Sequence, residues 1–96
     1  MAILYTWKQK QFDLSSGRAT VLDGPAVLHG IFVSVVTSAH SFDLQDGSTV
    51  KMTIPASQTA GNQISGGNSE YTTNMVLVPN GSATGKVVIH YQALER

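Results

Sequence analysis

Few side chains in this 96-residue sequence could carry chemistry. His29, His40 and His90 are the only groups whose unperturbed pKa lies near neutrality, and with Asp23, Asp43 or Asp46 they could in principle make an acid–base pair or a metal site. None stands in an H-x-H or H-E-x-x-H spacing. They therefore read as interface or half-buried structural histidines, with His40, beside a strand, in solvent. Glycoside cleavage needs two carboxylates facing across a cleft. Of the six acids here, Asp23 and Asp46 each precede a glycine, where turn chemistry places aspartate anyway. No G-x-S-x-G elbow presents a serine nucleophile. Gly81-Ser82-Ala83-Thr84-Gly85-Lys86-Val87 imitates a phosphate loop, but it is one residue short and has Val87 where magnesium needs a hydroxyl. A strand pattern follows it where a helix is required, so it reads as a hairpin connection. Asn80-Gly81-Ser82 has the form of a glycosylation acceptor and reads as part of the same turn. No catalytic set, cofactor or metal site is expected.

The aromatic side chains are the stronger binding candidates. Tyr5, Trp7 and Phe12 crowd the first dozen residues, and these three are the residues expected to anchor a partner. Residues 1–14 are an arm or first strand, and residues 15–96 are the domain proper. Such an arm either completes the domain's own sheet or adds a strand to a neighbour's edge. A stacking platform for sugars or single-stranded nucleic acid is the sharper alternative, with only Lys8 and Lys10 as basic neighbours.

The elements that must position these groups follow from periodicity. Apolar residues recur at spacing two or in β-branched runs, which is the signature of strands. Ile3–Lys8 is a first candidate strand, and Arg18–Leu22 follows the Ser15-Ser16-Gly17 turn. The long run from Ala26 to Val36 reads as a central strand with a bulge at Gly30. Residues 40–45 and 48–54 flank Asp46-Gly47 as a hairpin, with Phe42 and Leu44 matched to an apolar row of Val50, Met52 and Ile54. Residues 56–68 lack periodicity and are expected to be one long loop of functional interest, with a short strand around Gln63–Ser65 as an option. Tyr71–Val78 and Lys86–Ala93 are the closing strands. In the last, the row of Val87, Ile89 and Tyr91 faces opposite to the row of Val88, His90 and Gln92. The fold class is all-β: a single small antiparallel β-sandwich, jelly-roll-like, or a barrel, of about seven or eight short strands.

Composition narrows the partners. Basic and acidic residues balance at six each, which argues against phosphate-driven nucleic-acid binding and against a polybasic membrane surface. The apolar N-terminal run is too short, and lacks the basic flank, for a signal peptide. No segment approaches the roughly 20 apolar residues that span a bilayer. There is no cysteine, so no disulfide or thiolate zinc site supports the fold. Charged residues are only 12% and Ser plus Thr about a fifth of the chain, a palette suited to a domain that docks or oligomerises.

Three stretches carry a resemblance: Gly24-Pro25-Ala26-Val27-Leu28-His29-Gly30-Ile31-Phe32-Val33, Phe42-Asp43-Leu44-Gln45-Asp46-Gly47, and Gly85-Lys86-Val87-Val88-Ile89-His90-Tyr91. In strand-and-turn rhythm, over residues 18–93, the chain resembles small β-sandwich proteins of tailed-bacteriophage virions, of the capsid decoration (cement) type. The resemblance implies a non-enzymatic structural role on the capsid surface. The expected partners are the major capsid protein and copies of the chain itself, with a trimer suited to threefold lattice positions. It carries over no contact residue and excludes the N-terminal dozen. A neck or tail component, and a carbohydrate- or receptor-binding module using the 56–68 loop, are the alternatives.

Overall fold

The computed structural model describes residues 8–94. They form two antiparallel four-stranded sheets built from β1 (Lys8–Asp13), β2 (Ala19–Leu22), β3 (Ala26–Val35), β4 (Phe42–Asp46), β5 (Thr49–Ile54), β6 (Gln63–Tyr71), β7 (Met75–Pro79) and β8 (Lys86–Ala93). One sheet runs β1-β8-β3-β6 and the other β2-β7-β4-β5. Successive strands repeatedly change sheets, and this order is that of a jelly roll.

The two inner faces interdigitate over one apolar core. Leu28, Ile31, Val33, Val87, Ile89 and Tyr71 contribute from the first sheet, and Phe42, Leu44, Ile54, Met75 and Leu77 from the second. In β8 the row of Val87, Ile89 and Tyr91 is buried while Val88, His90 and Gln92 are half-covered, as the alternation predicts. β3 lies inside its sheet between β8 and β6. Its register slips between Leu28 and Gly30 against both neighbours, which is the expected bulge. A Cβ on Gly30 would stand 2.9 Å from the Ile64 carbonyl oxygen, so only glycine lets β6 approach this closely.

Five local expectations are corrected. The chain turns at Gly47-Ser48, not Asp46-Gly47, because Asp46 still pairs with Thr49. Beyond the Leu44–Met52 pair the register slips so that Val50 meets Gln45, and Val50 is 50% exposed instead of joining the inner row. The supposed loop 56–68 ends at residue 62, and Gln63–Tyr71 is a full strand. Its Ser-Gly-Gly-Asn-Ser composition hides it, yet Gly66 is packed against Leu28, where a Cβ would meet Leu28 Cγ at 2.5 Å. Tyr71–Val78 is therefore two strand segments, separated at residues 72–74 where the chain crosses between sheets. For the same reason the 80–85 connection is a crossover between sheets, not a hairpin, since β7 and β8 belong to different sheets.

The crossovers are held by side chains. The Asp46 carboxylate accepts hydrogen bonds from the amides of Thr72 (2.9 Å), Thr73 (2.8 Å) and Asn74 (3.4 Å) and from the Thr72 hydroxyl (3.0 Å). Those donors, the Thr72 and Thr73 amides foremost, hold its pKa down to about 2. The Asn74 side chain returns the contact by accepting from the Gly47 amide at 2.8 Å.

Candidate functional site

Alternation puts one set of β-strand side chains on the outer face of the β1-β8-β3-β6 sheet. Reading across from β1, the set includes Gln9 and Gln11, then Val88, His90 and Gln92 on β8, Val27 and Phe32 on β3, and Gln63 and Ser65 on β6. The same rows also carry Asp13 on β1, Lys86 on β8 and Glu70 on β6, toward the ends of the strands. Between them amides, imidazole, hydroxyl and valine methyls dominate, so the middle of the face is hydrogen-bonding and apolar.

The bulge makes a groove in this face. His29 is the extra residue that β3 inserts between the Leu28–Tyr91 and Gly30–His90 pairs, which brings it beside His90. With Gly30 as floor, Phe32, Gln63 and Ser65 complete the walls of an open groove of about 470 Å³. Two of the three histidines thus meet in one place. His40 does not join them: it is exposed, with its ring against Gly81. Among the described residues no three histidine or carboxylate side chains gather to hold a metal ion. Chemically, the groove offers a half-buried aromatic ring flanked by imidazole, amide and hydroxyl groups. Such a lining suits an uncharged ligand that both stacks and hydrogen-bonds.

Beside the groove lies the sheet's β1 edge. Phe12 is 8% exposed and belongs to the core, opposite Val87. Its ring seats β1 on the sandwich and does not present itself to a partner, because residue 12 falls in the inward-facing row. Lys10 lies along the same row, with its ammonium 5.5 Å from the Phe12 ring centroid. Asp13 ends the strand and caps the short 3-10 turn Leu14–Ser16. It accepts from the Ser15 hydroxyl (2.7 Å) and amide (3.0 Å), and these bonds lower its pKa. Tyr5 and Trp7, the other expected anchors, lie outside the described residues, as does most of the candidate strand Ile3–Lys8.

The remaining loop is less free than its composition suggests. Residues 55–62 are stitched to the end of β3. The Gly61 amide donates to the Val33 carbonyl (2.7 Å), Val33 to Asn62 (2.9 Å), and Gln58 to the buried Thr37 hydroxyl (2.7 Å). Phe32, Gln63 and Ser65 were not legible as site residues. The one available signal was the glycine bulge at His29-Gly30, which resets the alternation and turns Phe32 outward. Comparison with protein-family models, curated proteins and solved structures finds no match for this chain.

Proposed function

We propose that this chain is a non-enzymatic structural protein of a bacteriophage virion, a decoration (cement) protein that binds the assembled capsid lattice at its outer surface. The observation that carries the reading is the broad outer face of the β1-β8-β3-β6 sheet, neutral in its middle with Asp13, Lys86 and Glu70 toward the strand ends, adjoining the strand that the Tyr5 and Trp7 segment leads into. The jelly-roll fold adds support by analogy alone, since viral shell domains and unrelated binding proteins share it.

The mechanism is mass action. A protein that binds several neighbouring subunits of a formed shell, but not the separated subunits, shifts the equilibrium toward the intact shell. Many weak neutral contacts add by multivalency without a charged hot spot. Tyr5 and Trp7 are the proposed anchors on the major capsid protein, and Phe12 supports them by seating β1. The test is the copy number of the chain in purified particles, with a capsid-binding titration of Tyr5→Ala/Trp7→Ala. Copy number in simple ratio to the major capsid protein, and lost occupancy in the double variant, are expected. A handful of copies would place the protein at the neck or tail, and unchanged occupancy would remove the anchoring role.

The groove favours a second reading, recognition of a carbohydrate or glycosylated receptor through Phe32, His90, Gln63 and Ser65. Glycan-array binding abolished by Phe32→Ala would support it. Absence of the chain from any particle would put this reading first.

A further inference from the structure

Among the described residues the two sheets have four edge strands, and three are unfit for pairing with another chain. β2 is four residues long and slips register between Thr20 and Leu22. β5 is bulged where Val50 meets Gln45. On β6 the stretch Gly66–Asn68 stands opposite the single residue His29, with Gly67 and Asn68 both at positive φ. Bulges and short length are the usual devices that keep sheet edges from joining. β1 has neither: it pairs with β8 without a slip from Lys8–Tyr91 to Asp13–Lys86.

The phase of this edge can be read from one bond. The Leu14 amide donates to the Gly85 carbonyl at 2.9 Å, continuing the β1–β8 register by one pair. Along an antiparallel strand, alternate residues direct both backbone groups to the same side. Residues 8, 10 and 12 therefore bond to β8, and Gln9, Gln11 and Asp13 direct their amides and carbonyls away from the sheet.

We infer that this edge pairs antiparallel with the same edge of a second copy, about a two-fold axis at Gln11, joining two four-stranded sheets into one. For the two sheets to continue with like faces together, opposed residues must lie on the same face. That condition leaves few registers. With Gln11 opposite Gln11, each Gln9 faces Asp13 of the second copy, and the outward amides and carbonyls of the two chains pair along the edge. On the inner side Lys10 stands opposite Phe12, repeating the cation-over-ring contact each chain already makes. Sliding to bring Gln9 opposite Gln11 sets Lys10 against Lys10, a like-charge pair that costs stability. Sliding the other way sets each Gln9 against Ser15, where the 3-10 turn ends the ladder, and opposes Phe12 to Phe12. The lysines thus do not forbid self-pairing; they select one register.

This inference names the partner of the β1 edge within the assembly reading, but its test needs no particle, so either can fail alone. Sedimentation velocity of the full chain over a concentration series reads the stoichiometry. A dimer that dissociates on dilution is expected. Gln11→Pro removes an outward amide at the two-fold without touching the β8 ladder, and proline is tolerated at such edge positions. It should weaken the dimer at least about tenfold while circular dichroism stays native. Gln11→Lys and Gln11→Asp should each be monomeric alone, and an equimolar mixture of the two should form a mixed dimer. A chain monomeric at every concentration would overturn the inference, as would a trimer, or a dimer that persists unweakened in folded Gln11→Pro and in both charge variants.

Discussion

Tyr71 stands fully inside the sandwich, yet its hydroxyl has no hydrogen-bond partner among the described residues. An unsatisfied buried donor costs about 1–3 kcal/mol relative to leaving it in water. Tyr71→Phe keeps the ring, which supplies the apolar burial, and deletes only the oxygen. What is lost is that atom's dispersion contacts, roughly 0.1–0.2 kcal/mol each and so about 0.5–1 kcal/mol for several neighbours. The balance is a gain of about 0.5–2 kcal/mol, and each kcal/mol raises the melting temperature of a domain this size by about 4–8 °C. Equilibrium urea unfolding is the assay, with the midpoint expected to rise at unchanged slope. The same residue shapes the alkaline limit. Burial first, and the Asp46 carboxylate second, push the Tyr71 pKa up to about 12 from an ordinary 10.0. Because the folded-state value lies above the unfolded one, ionisation of this group takes nothing from stability below pH 10, and stability falls as pH rises from 10 through 12. Tyr71→Phe should therefore lack this part of the alkaline loss, and one of the three tyrosines should titrate late in the ultraviolet. A variant destabilised by about 1 kcal/mol or more would refute the reasoning, because it would mean that the hydroxyl is hydrogen-bonded in solution.

Other outcomes follow from single contacts. Asp46→Asn removes the carboxylate that gathers the 72–74 amides, and a loss of about 1–2 kcal/mol is expected in urea unfolding. Because the Asp46 pKa is lowered to about 2 from 3.8, its contribution is present above pH 4 and lost as pH falls through 2. Acid unfolding of Asp46→Asn should accordingly be shallower over that window. Gly66→Ala drives a methyl to within 2.5 Å of Leu28 Cγ and 2.7 Å of its carbonyl oxygen. Since backbone must move, destabilisation of about 1–3 kcal/mol is expected from the thermal midpoint. Thr37→Val strips the acceptor that holds the Gln58 amide. Hydrogen exchange should accelerate in residues 55–62 while the β3–β8 amides stay protected.

The residues themselves determined the class of fold and much of its interior. Two-residue spacing in Lys86–Ala93 and the β-branched run from Ala26 are local signals, and each survives folding because burial of one face enforces the alternation. The His29-Gly30 bulge was also local, since a glycine in a strand marks a close approach. What tertiary structure decided was pairing. β6 carries almost no apolar alternation and became a strand only because β3 lay beside it, with Gly66 against Leu28. Residues 72–74 and 80–85 look like ordinary turns along the chain, and only packing made them crossovers between sheets. Val50 left the core because a register slip, invisible in the sequence, turned it outward. Phe12 illustrates the same limit at the binding surface. An aromatic near the chain start can face a partner or the core, and the choice was made by its place opposite Val87 in β8, a residue 75 positions away. Local propensity acts over a few residues, whereas the edge and the groove depend on strands far apart in the chain.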